Sequence, residues 1–341
     1  MKHAIINYMI GGRLTFSLLI LLLLIGYMSL LLGGTIESLA RLLDITFGQG
    51  TLMENIIIWQ IRAPRIVLAA LTGFALGLAG AAIQGLLRNP LAEPALLGAS
   101  NSAALGAVMI IYLGLSGTLS FAVPFAATLC ALLSVGLLFL LVGQRADTVR
   151  LILAGFAVSA FSGAGIALAL NLSPNFFAAL EIAFWLLGSV ENRSWQHVML
   201  ALPPVLCGII LLLSGGRGLD ALALGEETAT SLGVRLTYLR WRLVGGMALA
   251  VGGTVAVVGV ISFVGLIAPH VVRPFTGGVP SRCLLPSACV GALMLVLADS
   301  FIRIIPTQVE LKLGVVTAFI GVPIFLFLLL RARHFTAQIN V

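Results

Sequence analysis

Long stretches of this chain carry no charge at all, and that limits what it can fold into. Residues 14–35, 66–87, 94–144, 151–180, 194–216, 243–272, 283–298 and 313–330 contain no Asp, Glu, Lys or Arg. A bilayer core of about 30 Å takes about 20 apolar residues of helix, and most of these runs reach that length. Within 94–144 the turn-like Gly114-Leu115-Ser116-Gly117 leaves room for two spans. Residues 243–272 are too many for one helix and too few for two ideal ones. Only 9% of the chain is charged and 60% is hydrophobic, whereas a soluble domain carries about 25% charge. Lipid is therefore the natural solvent. The reading is an all-α, polytopic membrane protein of about ten transmembrane helices, in one membrane domain over residues 1–341. The helices are expected near 14–34, 65–86, 95–114, 120–142, 150–170, 195–214, 241–259, 262–277, 284–301 and 313–330. The first run is too long for the apolar core of a secretory signal and no small-residue cleavage site follows it, so it is read as an anchor that stays.

The net charge of +7 could suggest nucleic acid, but its distribution argues for a membrane. With both termini placed inside, thirteen of the 19 Lys and Arg fall on the inner side. The other six, Arg41, Arg62, Arg65, Arg193, Arg303 and Lys312, fall outside. The positive-inside rule then orients the chain as a multi-pass protein of a bacterial inner membrane, with cytoplasmic termini.

Catalytic chemistry finds little support. The four histidines are scattered, and there is no His-Glu-x-x-His, no Gly-x-Ser-x-Gly and no pair of carboxylates inside a span. No two of the four cysteines have metal-ligand spacing. No metal or cofactor is called for. A phosphate-binding Gly-x-x-x-x-Gly-Lys-Ser/Thr loop is missing, so any ATP must be handled by another chain. An ion-coupled secondary transporter is the alternative class, and such carriers keep ionisable groups inside the membrane. Here Asp299 comes closest, and one turn before Arg303 it reads as that residue's local partner.

Several local patterns carry more. The hydrophilic stretch 217–242 contains Leu224-Gly225-Glu226-Glu227-Thr228-Ala229-Thr230-Ser231-Leu232-Gly233-Val234, read as a short amphipathic inner helix punctuated by Gly225 and Gly233. Too short to stand alone, it must pack on the underside or on a partner. The other long hydrophilic stretch, 36–59, is read as an outer loop. Gly73-x-x-x-Gly77 reads as close helix packing. Residues 74–80 faintly echo 247–253, as an inverted repeat would. Gln60-Ile61-Arg62-Ala63-Pro64-Arg65 opens the second span from outside, where arginine is otherwise under-used, and Pro64 suits a helix start. Arg88-Asn89-Pro90-Leu91-Ala92-Glu93-Pro94 forms an inner turn between two prolines, for which a simple chain reversal is the plain reading.

These last two motifs, with Gly80, Gln84 and Gly98, resemble the signature of the permease subunits of iron-siderophore, haem and cobalamin ABC importers. So do residues 259–273, reading Gly-Val-Ile-Ser-Phe-Val-Gly-Leu-Ile-Ala-Pro-His-Val-Val-Arg, together with Ala298-Asp299, Arg303 and residues 314–323. The likeness runs from about residue 14 to 333. It implies a type II ABC importer permease fold and passage of an iron-siderophore, haem or cobalamin-type chelate. It further implies a second permease subunit (copy or paralogue), two ATP-binding cassette ATPase subunits, and an extracytoplasmic binding protein above. Lipid surrounds the assembly, and nucleic acid has no part in it. By the same resemblance Arg62, Arg65 and Arg303 dock the binding protein. Leu224, Gly225, Glu226, Glu227, Thr228, Ala229, Leu232 and Gly233 couple to the ATPase. Thr148 and Val149, with Asn89 and Leu91, form the cytoplasmic gate. One departure is Lys312, where the family commonly has proline. It relaxes that helix start and adds positive charge at the outer face.

Overall fold

The computed structural model describes residues 2–32, 38–117, 121–143, 147–305 and 311–339, with side chains between 12 and 330. The charged residues Arg145 and Glu310 lie outside them. The chain forms α1 (Lys2–Ser29), α2 (Leu39–Thr46) and α3 (Leu52–Asn55), which runs through a π-helical stretch, Ile56–Arg62, into α4 (Ala63–Leu87). Next come α5 (Ala99–Tyr112), α6 (Ala122–Val142), α7 (Thr148–Asn171), α8 (Phe176–Leu186) and α9 (Trp195–Ser214). Two short helices, α10 (Gly216–Ala223) and α11 (Glu226–Ser231), lead into α12 (Leu236–Val258). The chain ends with α13 (Val264–Val272), α14 (Pro280–Ile304) and α15 (Leu313–Ile339).

Eight helices of the described residues are long and apolar enough to cross a membrane, and α5 and α8 are shorter apolar helices. The count of about ten therefore stands, with two changes of content. The span expected near 262–277 is the nine-residue α13, about 14 Å long at 1.5 Å per residue. The helix α8 was not expected. Of the stretch 36–59, expected as an outer loop, the described residues 38–59 are largely helical.

Two helices form the centre. In α4 and α12, 78% of the apolar stretch is buried, against 6% in α1 and 28% in α7, α9 and α15. Glycine explains how α4 gets so close to its neighbours. A Cβ at Gly73 would run into the Gly291 carbonyl, one at Gly77 into that of Ser287, and one at Gly80 into that of Gly265. Contact at the backbone is how helices associate where the solvent is as apolar as leucine. The pairing of 73 with 291 and 77 with 287 makes α4 antiparallel to α14. Likewise α4 ends and α12 begins beside the same residue, Glu226, so these two helices also run oppositely.

The break between α12 and α13 resolves the odd length of 243–272. Gly259 (φ +82°) ends α12 and Phe263 (φ +69°) opens α13, both in the left-handed region. Pro269 lies inside α13 and has no N–H for the Gly265 carbonyl four residues earlier. Gln84 of α4 compensates, its Nε2 donating to the carbonyls of Gly265 (3.5 Å) and Leu266 (3.3 Å). Its Oε1 accepts from Arg273 at 2.7 Å. One buried amide thus straps both ends of the half-length helix.

Candidate functional site

At one end of the bundle the three expected arginines converge. Helix α1 ends at Ser29, leaving carbonyls without helical partners. The Arg303 guanidinium donates to the Ser29 carbonyl (3.0 Å) and to the Ser29 hydroxyl. Arg62 donates to the Leu30 carbonyl at 2.6 Å. Cations at a helix C-terminus also meet the negative end of its dipole. Between them stands Asp299, 1% exposed, which accepts from Arg65 Nε at 2.8 Å. Arg303 Nε lies 3.1 Å from its other oxygen, an ion pair rather than an aligned hydrogen bond. The hydroxyls of Ser29 and Ser300 meet at 2.8 Å and close the knot. The side chains of Arg65 and Arg303 are only 12% and 9% exposed, and Arg62 is buried. The guanidiniums thus turn inward instead of presenting a fork at the rim. Asp299 does pair with Arg303, and with Arg65 as well.

Just before this knot the helix widens. Pro64 cannot donate, and the Ala63 N–H reaches back five residues to the Ile58 carbonyl. The start of α9 is tied to the same turn by Trp195 Nε1, which donates to the Trp59 carbonyl at 2.7 Å. Lys312 sits at this end too. Its ammonium pairs with Glu191 at 2.5 Å, so the added charge is neutralised by a neighbouring loop. The Gly314 N–H donates to the Gly188 carbonyl (3.1 Å), fixing the start of α15 against the turn after α8.

At the opposite end lies α11. It is shorter than the expected helix: Leu224 and Gly225 precede it, and Leu232 and Gly233 follow it. Ala229 is fully buried, whereas Leu224 and Leu232 are 67% and 63% exposed. Ala229 and Leu232, three residues apart, therefore do not share one apolar face. One faces the underside and the other faces away. Glu226 accepts from Arg240 at 2.8 Å and lies 3.9 Å from Arg88, which pins α11 to α12 and to the end of α4. Glu227 and Thr228 are exposed.

The expected gate residues belong to the same end. Asp147 caps α7 by accepting from the Arg150 N–H at 2.7 Å, which leaves Val149 65% exposed and Thr148 half-buried. Asn89 is exposed, and its side chain accepts from the Leu91 N–H at 2.9 Å in a tight turn. Beyond it the chain does not simply reverse. The 3₁₀ turn Pro94–Leu97 folds back into the bundle, close against Gly155 of α7 and Gly265 of α13. Glu93 reaches the broken start of α13, where the Phe263 N–H donates to its carboxylate at 2.5 Å. Non-helical backbone at membrane depth requires such partners. The sequence reading named Gln84 and Glu93 only as parts of the motifs and gave them no role, and it did not single out Ser29, which only its polarity among apolar neighbours marks.

Comparison with known proteins agrees with this architecture. The FecCD transport family matches residues 20–331. An uncharacterised ABC transporter permease, YvrB of Bacillus subtilis (strain 168), is 42% identical over 295 residues, covering 85% of this chain and 83% of that one. The vitamin B12 import system permease protein BtuC of Vibrio cholerae is 42% identical over 287 residues, covering 84% and 86%. A solved structure described as an inward-facing metal-chelate type ABC transporter superposes with a TM-score of 0.84 at 30% identity, covering 94% of this chain and 99% of that chain. The break before α13, the re-entrant proline turn and the strapped helix ends are therefore parts of a permease, and the chain belongs to the FecCD transport family of ABC importers.

Proposed function

We propose that this chain is the membrane subunit through which an ABC importer of a bacterial inner membrane passes a metal chelate to the cytoplasm. Both termini lie inside, the arginine knot faces out, and α11 faces one of two ATPase subunits. A second permease completes the path, and an extracytoplasmic binding protein delivers the cargo. ATP hydrolysis belongs to the ATPase chains.

The observation that carries this reading is the surface of α11. Leu224 and Leu232 stand exposed on either side of a helix held rigid by Glu226 and Arg240. Two exposed leucines on a braced turn suit insertion into a groove of another protein. Lipid does not meet them, because α11 sits among the charged loops of the positive-inside side. The cargo follows from kinship. Several sequence relatives are vitamin B12 import permeases, and a structural relative is of metal-chelate type. A corrinoid is therefore the first cargo to test, ahead of the iron-siderophores and haem of the same class. Reconstituted with its ATPase and binding protein, the chain should take up cobalamin or a ferric chelate only with ATP. Uptake that persists without ATP and collapses with the proton gradient would make it a secondary carrier instead.

The docking role of Arg62, Arg65 and Arg303 takes a narrower form. Turned inward, they hold the three helix ends that the binding protein meets, and direct pairing with its carboxylates is secondary. Salt separates the two roles on the unmodified protein. Direct pairs lose association rate steeply as salt rises, whereas an internal knot leaves it nearly unchanged.

A further inference from the structure

A cavity of about 300 Å³ opens at the arginine-knot end, between the starts of α6 and α9, the turn after α5, α8 and the end of α12. Its polar wall holds Ser116, Glu181, Arg193, Gln196 and His197, and its floor is apolar, with Ile111, Leu200 and Val257. We propose that it seats the headgroup of a phospholipid bearing both a phosphate and a primary ammonium, the chemistry of phosphatidylethanolamine.

Arg193 is half-buried, and its Nε is closed to solvent without a hydrogen-bond partner among the described residues. Burial also pushes this guanidinium below its usual value. An orphaned buried N–H of a charged group is costly, and a phosphate oxygen would satisfy it. His197 adds a second donor. Its Nδ1 accepts from the Ser194 N–H at 3.2 Å, so the proton of the neutral ring sits on Nε2. Glu181 supplies the opposite charge. It accepts only from the Ser116 hydroxyl, at 3.2 Å, and makes no ion pair among the described residues, not even with Arg193. A lone cation and a lone carboxylate around one cavity fit a zwitterion better than a simple anion.

The surroundings favour a lipid as the source. Phe125 and Met199, beside the lining residues Pro124 and Leu200, are 65% and 61% exposed. They are apolar surface on the first turns of two membrane-length helices. The cavity thus opens at the depth where headgroups lie, with room for acyl chains along α6 and α9.

Native mass spectrometry of the full chain in detergent tests this, with added phosphatidylethanolamine, phosphatidylcholine, phosphatidylglycerol or inorganic phosphate. The ethanolamine lipid should bind about tenfold more tightly than the others, and Arg193→Gln should weaken binding of all three lipids, whose shared phosphate it would meet. Glu181→Gln should remove the preference over phosphatidylglycerol while leaving phospholipid binding intact. If Arg193→Gln fails to insert, the altered preference of Glu181→Gln decides alone. Equal binding of all three lipids to the unmodified chain overturns the proposal. So does full displacement of the lipid by millimolar phosphate, which would make this a free-anion site.

Discussion

The arginine knot shows what a single side chain can and cannot reveal. Position in the sequence placed Arg62, Arg65 and Arg303 at one membrane face, but not the direction in which they point. That direction depends on carbonyls at the end of α1 and on Asp299, far away in sequence. Removing one member of a buried charge cluster leaves the others uncompensated, at a cost of about 3–5 kcal/mol. Asp299→Ala should therefore lower the thermal unfolding temperature of the purified chain sharply, and Asp299→Asn somewhat less. A transition unmoved by Asp299→Ala would mean that the knot contributes nothing. The Lys312 pair gives the contrast. Its partners are 21% and 24% exposed, and such rim pairs contribute about 0–1 kcal/mol. The Lys312 N–H donates no backbone bond among the described residues and precedes the first residue of α15. Lys312→Pro, which restores the residue common in the family, should leave stability within about 1 kcal/mol in the same melt.

Helix packing makes a sharper demand. Gly73 and Gly291 touch backbone to backbone across α4 and α14, so Gly73→Ala must push the two apart. Overpacking of this kind costs about 1–3 kcal/mol. Gly136→Ala, in open space on α6, should be neutral in the same assay. Gln84→Leu removes the donor that serves the carbonyls of Gly265 and Leu266 and the acceptor of Arg273, so it should cost about 2–3 kcal/mol. Gln84→Glu keeps the acceptor and loses the donor, and should fall between. The long helices were legible because a bilayer demands length and the absence of charge together. The elements that escaped break that rule. Helix α8 has eleven residues with Glu181 among them, so the sequence reading left it between two longer spans. The helix α13 was expected, but at nearly twice its length; its nine residues are held by a glutamine on another helix, which no local pattern announces. The short α10 was hidden in a stretch read as loop. For the candidate site, side and order along the chain were legible, while burial and partner were not, because both depend on contacts between distant segments.

The molecule as a whole has one tightly packed half and one open half. Helices α4, α12 and α14 are mostly buried. By contrast, α7 exposes Leu153, Phe156, Phe161 and Leu168, and α15 exposes Phe319, Ile320, Leu326 and Phe327. Lipid can cover such faces, but it cannot account for the end of α7, where Val149 is 65% exposed beside the polar Asp147 and Arg150. In the proposed importer the inner ends of α7 from two permeases face each other across the path and close it. A gate of this kind must open and shut with the ATPase cycle, because a path open at both ends would dissipate any gradient. Thr148 is placed for a direct measurement. It is half-buried on the first turn of a helix whose cap is intact, so cysteine there should disturb little. Cys207, the exposed native thiol, is first replaced by serine to silence the background. Thr148→Cys in the assembled importer should then form a disulfide with its counterpart in one nucleotide state and lose it in another. Where the second permease is a paralogue, the matching residue there is changed as well. Cross-linking that never occurs, or that is indifferent to nucleotide, would remove Thr148 and Val149 from the gate and leave the turn at Asn89 and Leu91 as the remaining candidate.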